Sequence, residues 1–116
     1  MELVVLVSTG KGSWAEASSL IEGGEWEKIL LVGEEYARKF SPRKQSEFIQ
    51  VNFNQTVEKI KKELLSKLKN KLRGPEIALN ISSGSGKEHI ALISALLCIP
   101  VGIKFVAMAE NGIIEL

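Results

Sequence analysis

A chain of 116 residues, 45% of them hydrophobic and 25% charged, has the size and composition of one globular domain, so residues 1–116 are expected to form a single domain. The formal net charge of +1 gives no overall attraction to DNA, RNA or an anionic membrane, although a local basic patch is compatible with it. With one cysteine, one histidine and no aspartate, the sequence excludes an internal disulfide, a metal site built from several cysteines or histidines, and a Ser-His-Asp triad.

Apolar runs and capping signals predict strands and helices that alternate along the chain. The first strand, Leu3–Val7, is apolar throughout, which is typical of a strand buried on both faces of a parallel sheet. A capping box of Ser13 and Glu16 is expected to start the first helix, and Gly23-Gly24 to end it. The further predicted elements are strand Lys28–Val32, a short helix from about Glu34, strand Glu47–Phe53, helix Gln55–Leu72, strand Glu76–Ser82, a helix after an N-cap at Ser85, and a hairpin of Lys104–Ala109 with Ile113–Leu116.

This order predicts the fold class, an α/β Rossmann-like three-layer sandwich with a mainly parallel sheet and a C-terminal β-hairpin at one edge. Ligands of such sheets bind outside the carboxyl ends of the strands. Two polar loops that contain glycine leave predicted strand ends, at Ser8–Ser13 and Ser82–Lys87. If the first and fourth strands are neighbours, both loops face one pocket.

The segment Asn80–Glu88 has the composition of an anion site. It lies between an apolar strand and the apolar helix Ile90–Leu97, and it contains three serines, two glycines and a lysine. Small residues let a ligand approach the backbone, and a helix start offers free N–H groups and a positive dipole end. Ser85 is the expected N-cap, with Glu88 completing a capping box. The alternative interpretation is an ordinary strand-to-helix turn that binds nothing.

Two common nucleotide motifs can be compared with these loops. A Walker loop is excluded, because neither Gly-Lys pair of the two loops is followed by serine or threonine. A dinucleotide fingerprint fits better, since Gly10-Lys11-Gly12 opens a helix after a strand, and Glu34 stands near the expected ribose-binding position. An NAD-type dinucleotide-binding module is therefore one alternative function. A flexible loop at the two glycines is the simpler interpretation.

The segment Leu79–Ser85, followed by the apolar helix Ile90–Leu97, resembles the second signature of CARF domains (CRISPR-associated Rossmann fold). That signature has Asn or Asp, an apolar residue, Ser or Thr, a Gly/Ser-Gly pair, another Ser or Thr, a nearby basic residue and an apolar helix. Ser8-Thr9-Gly10 lies where the family has its other ligand-binding loop. The chain departs from the pattern because Gly86 takes the usual place of the basic residue, and Lys87 follows one position later.

The resemblance implies binding of a cyclic oligoadenylate, a second messenger of CRISPR-type antiviral signalling. It also implies a homodimer that packs through the helix Ile90–Leu97, with the ligand across the two-fold axis and with no cofactor or metal. Two functions are compatible with it: a stand-alone sensor that only binds the messenger, and a metal-independent ring nuclease in which the ribose 2′-hydroxyl attacks the neighbouring phosphate. The ligand-binding positions expected from the loops and the resemblance are Ser8, Thr9, Gly10, Lys11, Asn80, Ser82, Ser83, Gly84, Ser85, Gly86 and Lys87.

Ring opening requires in-line geometry and stabilisation of extra negative charge. Lys87 and Ser85 are the candidate catalytic groups for this, and His89 could act as general acid or base or simply cap and pack. Cys98 is expected in the core rather than as a nucleophile. Trp14 is equally compatible with stacking on an adenine and with anchoring the first helix.

Apolar residues recur at helical spacing in the long predicted helix and predict its core face: Val57, Ile60, Leu64, Leu68 and Leu72. Glu58–Lys62 and Glu63–Lys67 are favourable i,i+4 pairs expected on its outside. This exterior is basic and has no interleaved aromatic residues, which favours a solvated face over a nucleic-acid surface. A protein-interaction module without a nucleotide ligand, docking through this basic helix, Lys59–Arg73, is the remaining alternative. DNA and membranes are not expected partners. Met1–Val7 has no basic leader, and the apolar run Ile90–Val101 is too short to span a bilayer, so a cytoplasmic location is expected.

Overall fold

The computed structural model describes residues 1–9 and 11–116, without the side chains of residues 11 and 12. Its elements alternate as the sequence predicts, except that the second helix is a short 3₁₀ helix. The elements are β1 (Glu2–Leu6), α1 (Lys11–Gly23), β2 (Lys28–Gly33), the 3₁₀ helix (Glu35–Lys39), β3 (Glu47–Gln50), α2 (Val57–Leu68), β4 (Glu76–Asn80), α3 (Gly86–Leu97), β5 (Gly102–Ala109) and β6 (Gly112–Glu115).

The six strands form one sheet in the order β3-β2-β1-β4-β5-β6. Strands β1 to β5 pair in parallel, and β6 returns antiparallel to β5 at one edge. The predicted fold class is therefore confirmed, including the hairpin at the sheet edge. Because β1 pairs directly with β4, the expectation that these two strands are neighbours is also confirmed.

Helices cover both faces of the sheet, and successive side chains of β1 pack alternately against the helices on one face and on the other. Val4 and Leu6 point into a core cluster shared with α2 and α3. Leu3 and Val5 point to the opposite face, where α1 packs. All four side chains are fully buried, as expected for a central parallel strand that has a helical layer on each side.

Helix α2 follows the predicted periodicity but is shorter than predicted. Thr56 is its N-cap, with the hydroxyl accepting from Lys59 N–H at 3.3 Å, so the helix cannot begin at Gln55. The helix ends at Leu68 with Lys69 as its C-cap, although the predicted core residue Leu72 is still buried. The predicted pair Glu63–Lys67 is present at 2.9 Å.

Three local predictions are wrong. Helix α1 begins at Lys11, so Ser13 lies in its first turn rather than at its N-cap. The Trp14 indole N–H donates to Ser8 O (2.6 Å) and holds this first turn against the end of β1. Strand β3 ends at Gln50, because Phe53 N–H turns to the Glu34 carboxylate (3.1 Å) instead of continuing the sheet.

The third wrong prediction concerns Cys98, which is exposed rather than part of the core. Helix α3 ends at Leu97, and Cys98 is its C-cap, beyond the buried stretch of the helix. None of the helices in the described part of the chain is long and apolar enough to cross a membrane.

Candidate functional site at the carboxyl ends of β1 and β4

The loops that follow β1 and β4 are joined by a hydrogen bond. Ser8 N–H donates to Ser83 Oγ at 2.8 Å, and both residues are buried. Strand pairing brings the two loops to the same edge of the sheet, and this bond fixes their separation. Since the chain turns to β2 on one side of β1 and later enters β4 on the other, the loops meet at the topological switch point of the sheet.

Glu88 links the same two loops through its carboxylate. Its Oε1 accepts from Ser8 Oγ at 3.0 Å and from Ser85 N–H at 2.9 Å. Ser85 Oγ in turn accepts from Glu88 N–H at 3.3 Å, which completes the predicted capping box. The sequence identifies Glu88 as a cap through its spacing from Ser85, but its bond to Ser8 arises only from the tertiary fold.

Gly84 allows the loop to pass close to β1. Its φ of +99° lies in the region that favours glycine, and a Cβ there would come within 2.6 Å of Leu6 Cδ2 and 2.7 Å of Glu88 Oε1. Both the backbone conformation and the lack of space therefore require glycine at this position.

Three predicted site residues are buried and hold the loops in place. Besides Ser8 and Ser83, Asn80 is buried, and its amide nitrogen donates to Val106 O at 2.9 Å and to Ser82 Oγ at 3.1 Å. Because their polar groups are engaged within the protein, these three residues stabilise the conformation of the loops. The predicted site residues at the surface are Thr9, Ser82, Gly84, Ser85, Gly86 and Lys87.

The N-terminus of α3 is the part of the site best suited to an anion. The N–H groups of Gly86 and Lys87 start the helix and have no acceptor within it. They lie at the positive end of the helix dipole, and the exposed Lys87 side chain adds a full positive charge beside them.

His89 Nε2 lies 2.7 Å from Ser83 O. In the tautomer protonated at Nε2, His89 donates to this carbonyl and fixes the loop before Gly84. This contact agrees with the interpretation of His89 as a residue that caps or packs. With Nε2 held by this bond, general acid or base chemistry by His89 would have to use its other ring nitrogen, Nδ1.

Trp14 packs as an anchor of α1. Its ring makes an edge-to-face contact with Phe40 at 5.8 Å between centroids, in addition to its bond to Ser8 O. The predicted positions Gly10 and Lys11, and the Gly10-Lys11-Gly12 fingerprint, lie outside the residues whose side chains the structure describes. Glu34, the ribose-binding candidate of that fingerprint, has one carboxylate oxygen on Phe53 N–H.

A cavity that the sequence did not anticipate opens elsewhere, beside the carboxyl ends of β2 and β3. It has a volume of about 530 Å³ and is lined by both Glu34 and Glu63. Burial alone would raise the pKa of Glu63, but hydrogen bonds from Lys67 and Gln55 outweigh it and hold this pKa below its usual value. Among the described residues, no group of three or more His, Cys, Asp or Glu side chains could hold a metal ion.

The fold and the paired loops define a Rossmann-like α/β protein with a candidate anion site at the β1/β4 switch point. No protein-family model matches the chain, and no curated protein shows significant similarity to it. The interpretation of the site therefore depends on its geometry and on the loop motif.

Proposed function

We propose that this protein is a CARF-like domain that binds a cyclic oligoadenylate second messenger of CRISPR-type antiviral signalling. The observation that carries the proposal is the hydrogen bond between Ser8 and Ser83, which joins the two loops with the CARF-like motif into one surface at the switch point. Such a messenger acts in the cytoplasm, which is where the proposal places the protein.

The phosphates of the messenger are proposed to bind at the start of α3. The N–H groups of Gly86 and Lys87, the helix dipole and the Lys87 ammonium all favour an anion there. The displaced lysine of the motif is compatible with this role, because Lys87 is exposed in the first turn of the helix.

A second copy of the chain is proposed to pack against the outer side of α3. Ile90 and Leu97 lie seven residues apart on one side of this helix and are 59% and 70% exposed, whereas Leu92 and Leu96 are fully buried. Large apolar side chains exposed along one stripe are typical of an interface. A two-fold dimer through α3 would bring two loop sites to one axis, which suits a cyclic ligand with repeated units.

Binding is the activity that the geometry supports best. Two of the three candidate catalytic groups are engaged within the protein, Ser85 Oγ as the helix cap and His89 Nε2 with Ser83 O. Metal-independent ring opening is the second candidate, favoured by the exposed Lys87 beside unpaired helix N–H groups, a combination that stabilises negative charge on a phosphate.

Titration calorimetry with cyclic tetra-adenylate and cyclic hexa-adenylate tests the proposal, with NAD as the competing ligand. Chromatography of the same mixtures after incubation distinguishes binding from ring opening. Binding of either ring that weakens in Lys87→Ala, with unchanged binding in the control Lys104→Ala, supports the loop site. Binding of NAD alone supports the dinucleotide alternative, and binding of none of the three contradicts a nucleotide ligand.

A further inference from the structure

A basic groove follows the free edge of β3, on the side of the sheet away from the hairpin. It consists of two adjoining cavities of about 350 and 470 Å³, which share Arg38 and Phe48 in their lining. We call this surface the β3-edge groove. Among the described residues, neither cavity is lined by a glutamate, and five cations line them together: Arg38, Arg43, Lys44, Lys67 and Lys71.

The groove keeps an excess of positive charge after its ion pairs are considered. Lys67 and Lys71 pair with Glu63 and Glu47, at 2.9 and 2.6 Å, and Arg43 lies 3.5 Å from a glutamate of α1. The other two cations bond to neutral acceptors, Arg38 Nε to the side chain of Gln50 (2.9 Å) and Lys44 Nζ to Gly24 O (2.6 Å). Because the whole chain has a net charge of only +1, this excess is local to the groove.

Arg38 forms a flat surface in the middle of the groove. Its guanidinium carbon lies 4.6 Å from the centroid of the Phe48 ring, and its bond to Gln50 fixes the orientation of the group. The residue as a whole is exposed, and it lines both cavities of the groove. A guanidinium plane held in this way is suited to stacking against a nucleobase.

Addition of a partner strand to β3 fits these observations less well. Val51 N–H donates to Gly33 O at 3.0 Å, so by alternation the backbone groups of Phe48 and Gln50 face away from β2. Lys67 Nζ already donates to Gln50 O, and β3 is only four residues long. A short edge strand with an outward carbonyl already occupied by a lysine of the neighbouring helix is poorly suited to strand addition.

We propose that the β3-edge groove binds a short stretch of single-stranded nucleic acid, with a base on Arg38 and the phosphates near Lys67 and Lys71. Cationic grooves with a stacking surface bind single strands with little sequence preference. The sequence argues against nucleic acid because no aromatic residue interleaves the charges of α2, but the fold supplies Phe48 from the neighbouring strand. This site is separate from the loops of β1 and β4 and does not depend on the function proposed for them.

Fluorescence anisotropy with labelled single-stranded oligouridylate, about eight nucleotides long, tests this inference. Oligouridylate avoids an adenylate-specific site, so the result is independent of the cyclic ligand. Arg38→Ala and Lys71→Ala are each expected to weaken binding about fivefold or more. Arg38→Lys is expected to weaken binding nearly as much as Arg38→Ala, because lysine keeps the charge but lacks the flat stacking group. Affinity is expected to fall steeply between about 50 and 200 mM salt.

Lys104→Ala is the matched control for Lys71→Ala. Both lysine side chains are 41% exposed and paired with a glutamate, but Lys104 lies on β5, across the sheet from the groove. Loss of binding in Lys104→Ala equal to that in Lys71→Ala would overturn the inference, since binding would then depend only on charge. Tighter binding of an acidic peptide than of oligouridylate, with the same loss in Arg38→Ala, would assign the groove to a protein partner instead. Thermal melting of each variant verifies that it is folded.

Discussion

Ser8 N–H donates to Ser83 Oγ at 2.8 Å, although the two residues are 75 positions apart in the sequence. The bond joins the loop after β1 to the loop after β4 and is buried. A buried N–H without an acceptor is costly, so this single contact couples the stability of the fold to the geometry of the candidate site.

Replacing Ser83 by alanine leaves the buried Ser8 N–H without its acceptor. We expect Ser83→Ala to lower the free energy of unfolding by about 1–3 kcal/mol, measured by chemical denaturation. The control is Ser82→Ala, because Ser82 is exposed and its partner Asn80 keeps a second acceptor. Equal losses in the two variants would contradict the special role of the Ser8–Ser83 bond.

Gly84 and Gly86 provide a matched pair within one loop. We expect Gly84→Ala to destabilise the protein by about 1–3 kcal/mol, because its φ is positive and a Cβ would clash with Leu6. A Cβ at Gly86 meets nothing within 4 Å, so Gly86→Ala is expected to be neutral or to stabilise by about 0.4–1 kcal/mol. Thermal denaturation compares the two, and a stable Gly84→Ala would contradict this account of the loop.

The proposed dimer through α3 predicts a mass of twice the chain mass of 12.7 kDa. We expect Leu97→Lys to shift the protein to monomer in sedimentation or light-scattering measurements, because the new charge lies in the apolar stripe with Ile90. Tyr36→Lys, which replaces an exposed aromatic side chain on the 3₁₀ helix, should leave the dimer intact. A wild-type monomer would rule out the shared site.

The pair Glu63–Lys67 predicts a small dependence of stability on pH. The pKa of Glu63 is lowered in the folded protein from its ordinary value of 4.5, so its stabilising contribution is complete above that pH and is lost as pH falls through the folded pKa. Glu63→Gln should therefore cost about 0.5 kcal/mol near neutral pH, less at high salt, and progressively less below pH 4.5. Glu110→Gln, at an exposed glutamate of the hairpin turn, controls for the substitution itself, and a cost of Glu63→Gln that grows in acid would contradict the sign.

The architecture could be predicted from the sequence because its signals are local. The apolar run of β1, the periodic apolar residues of α2 and the capping box at Ser85 each specify an element, and their alternation specifies a parallel sheet. Local signals do not decide that β1 and β4 are neighbours, so the meeting of the two loops is predicted only on that condition, which the β1–β4 pairing meets.

The remaining features depend on long-range contacts. The bond of Glu88 to Ser8 joins residues 80 positions apart, and the stacking of Arg38 on Phe48 depends on how the chain returns from the 3₁₀ helix into β3, so no short motif encodes either contact. Exposure of Cys98 depends on where α3 ends, which the nearly all-apolar run Ile90–Ile99 conceals. Element ends were the weakest predictions for the same reason, since capping and turn contacts decide them.

Calorimetric titration of cyclic tetra- and hexa-adenylate into wild type, Lys87→Ala and Lys104→Ala tests whether the joined loops bind the proposed messenger. We expect at least one ring to bind, with about one ring per two chains, and we expect binding to weaken about tenfold or more in Lys87→Ala but not in Lys104→Ala. Absence of binding to both rings by folded wild-type protein, or equal binding in all three proteins, would contradict this proposal.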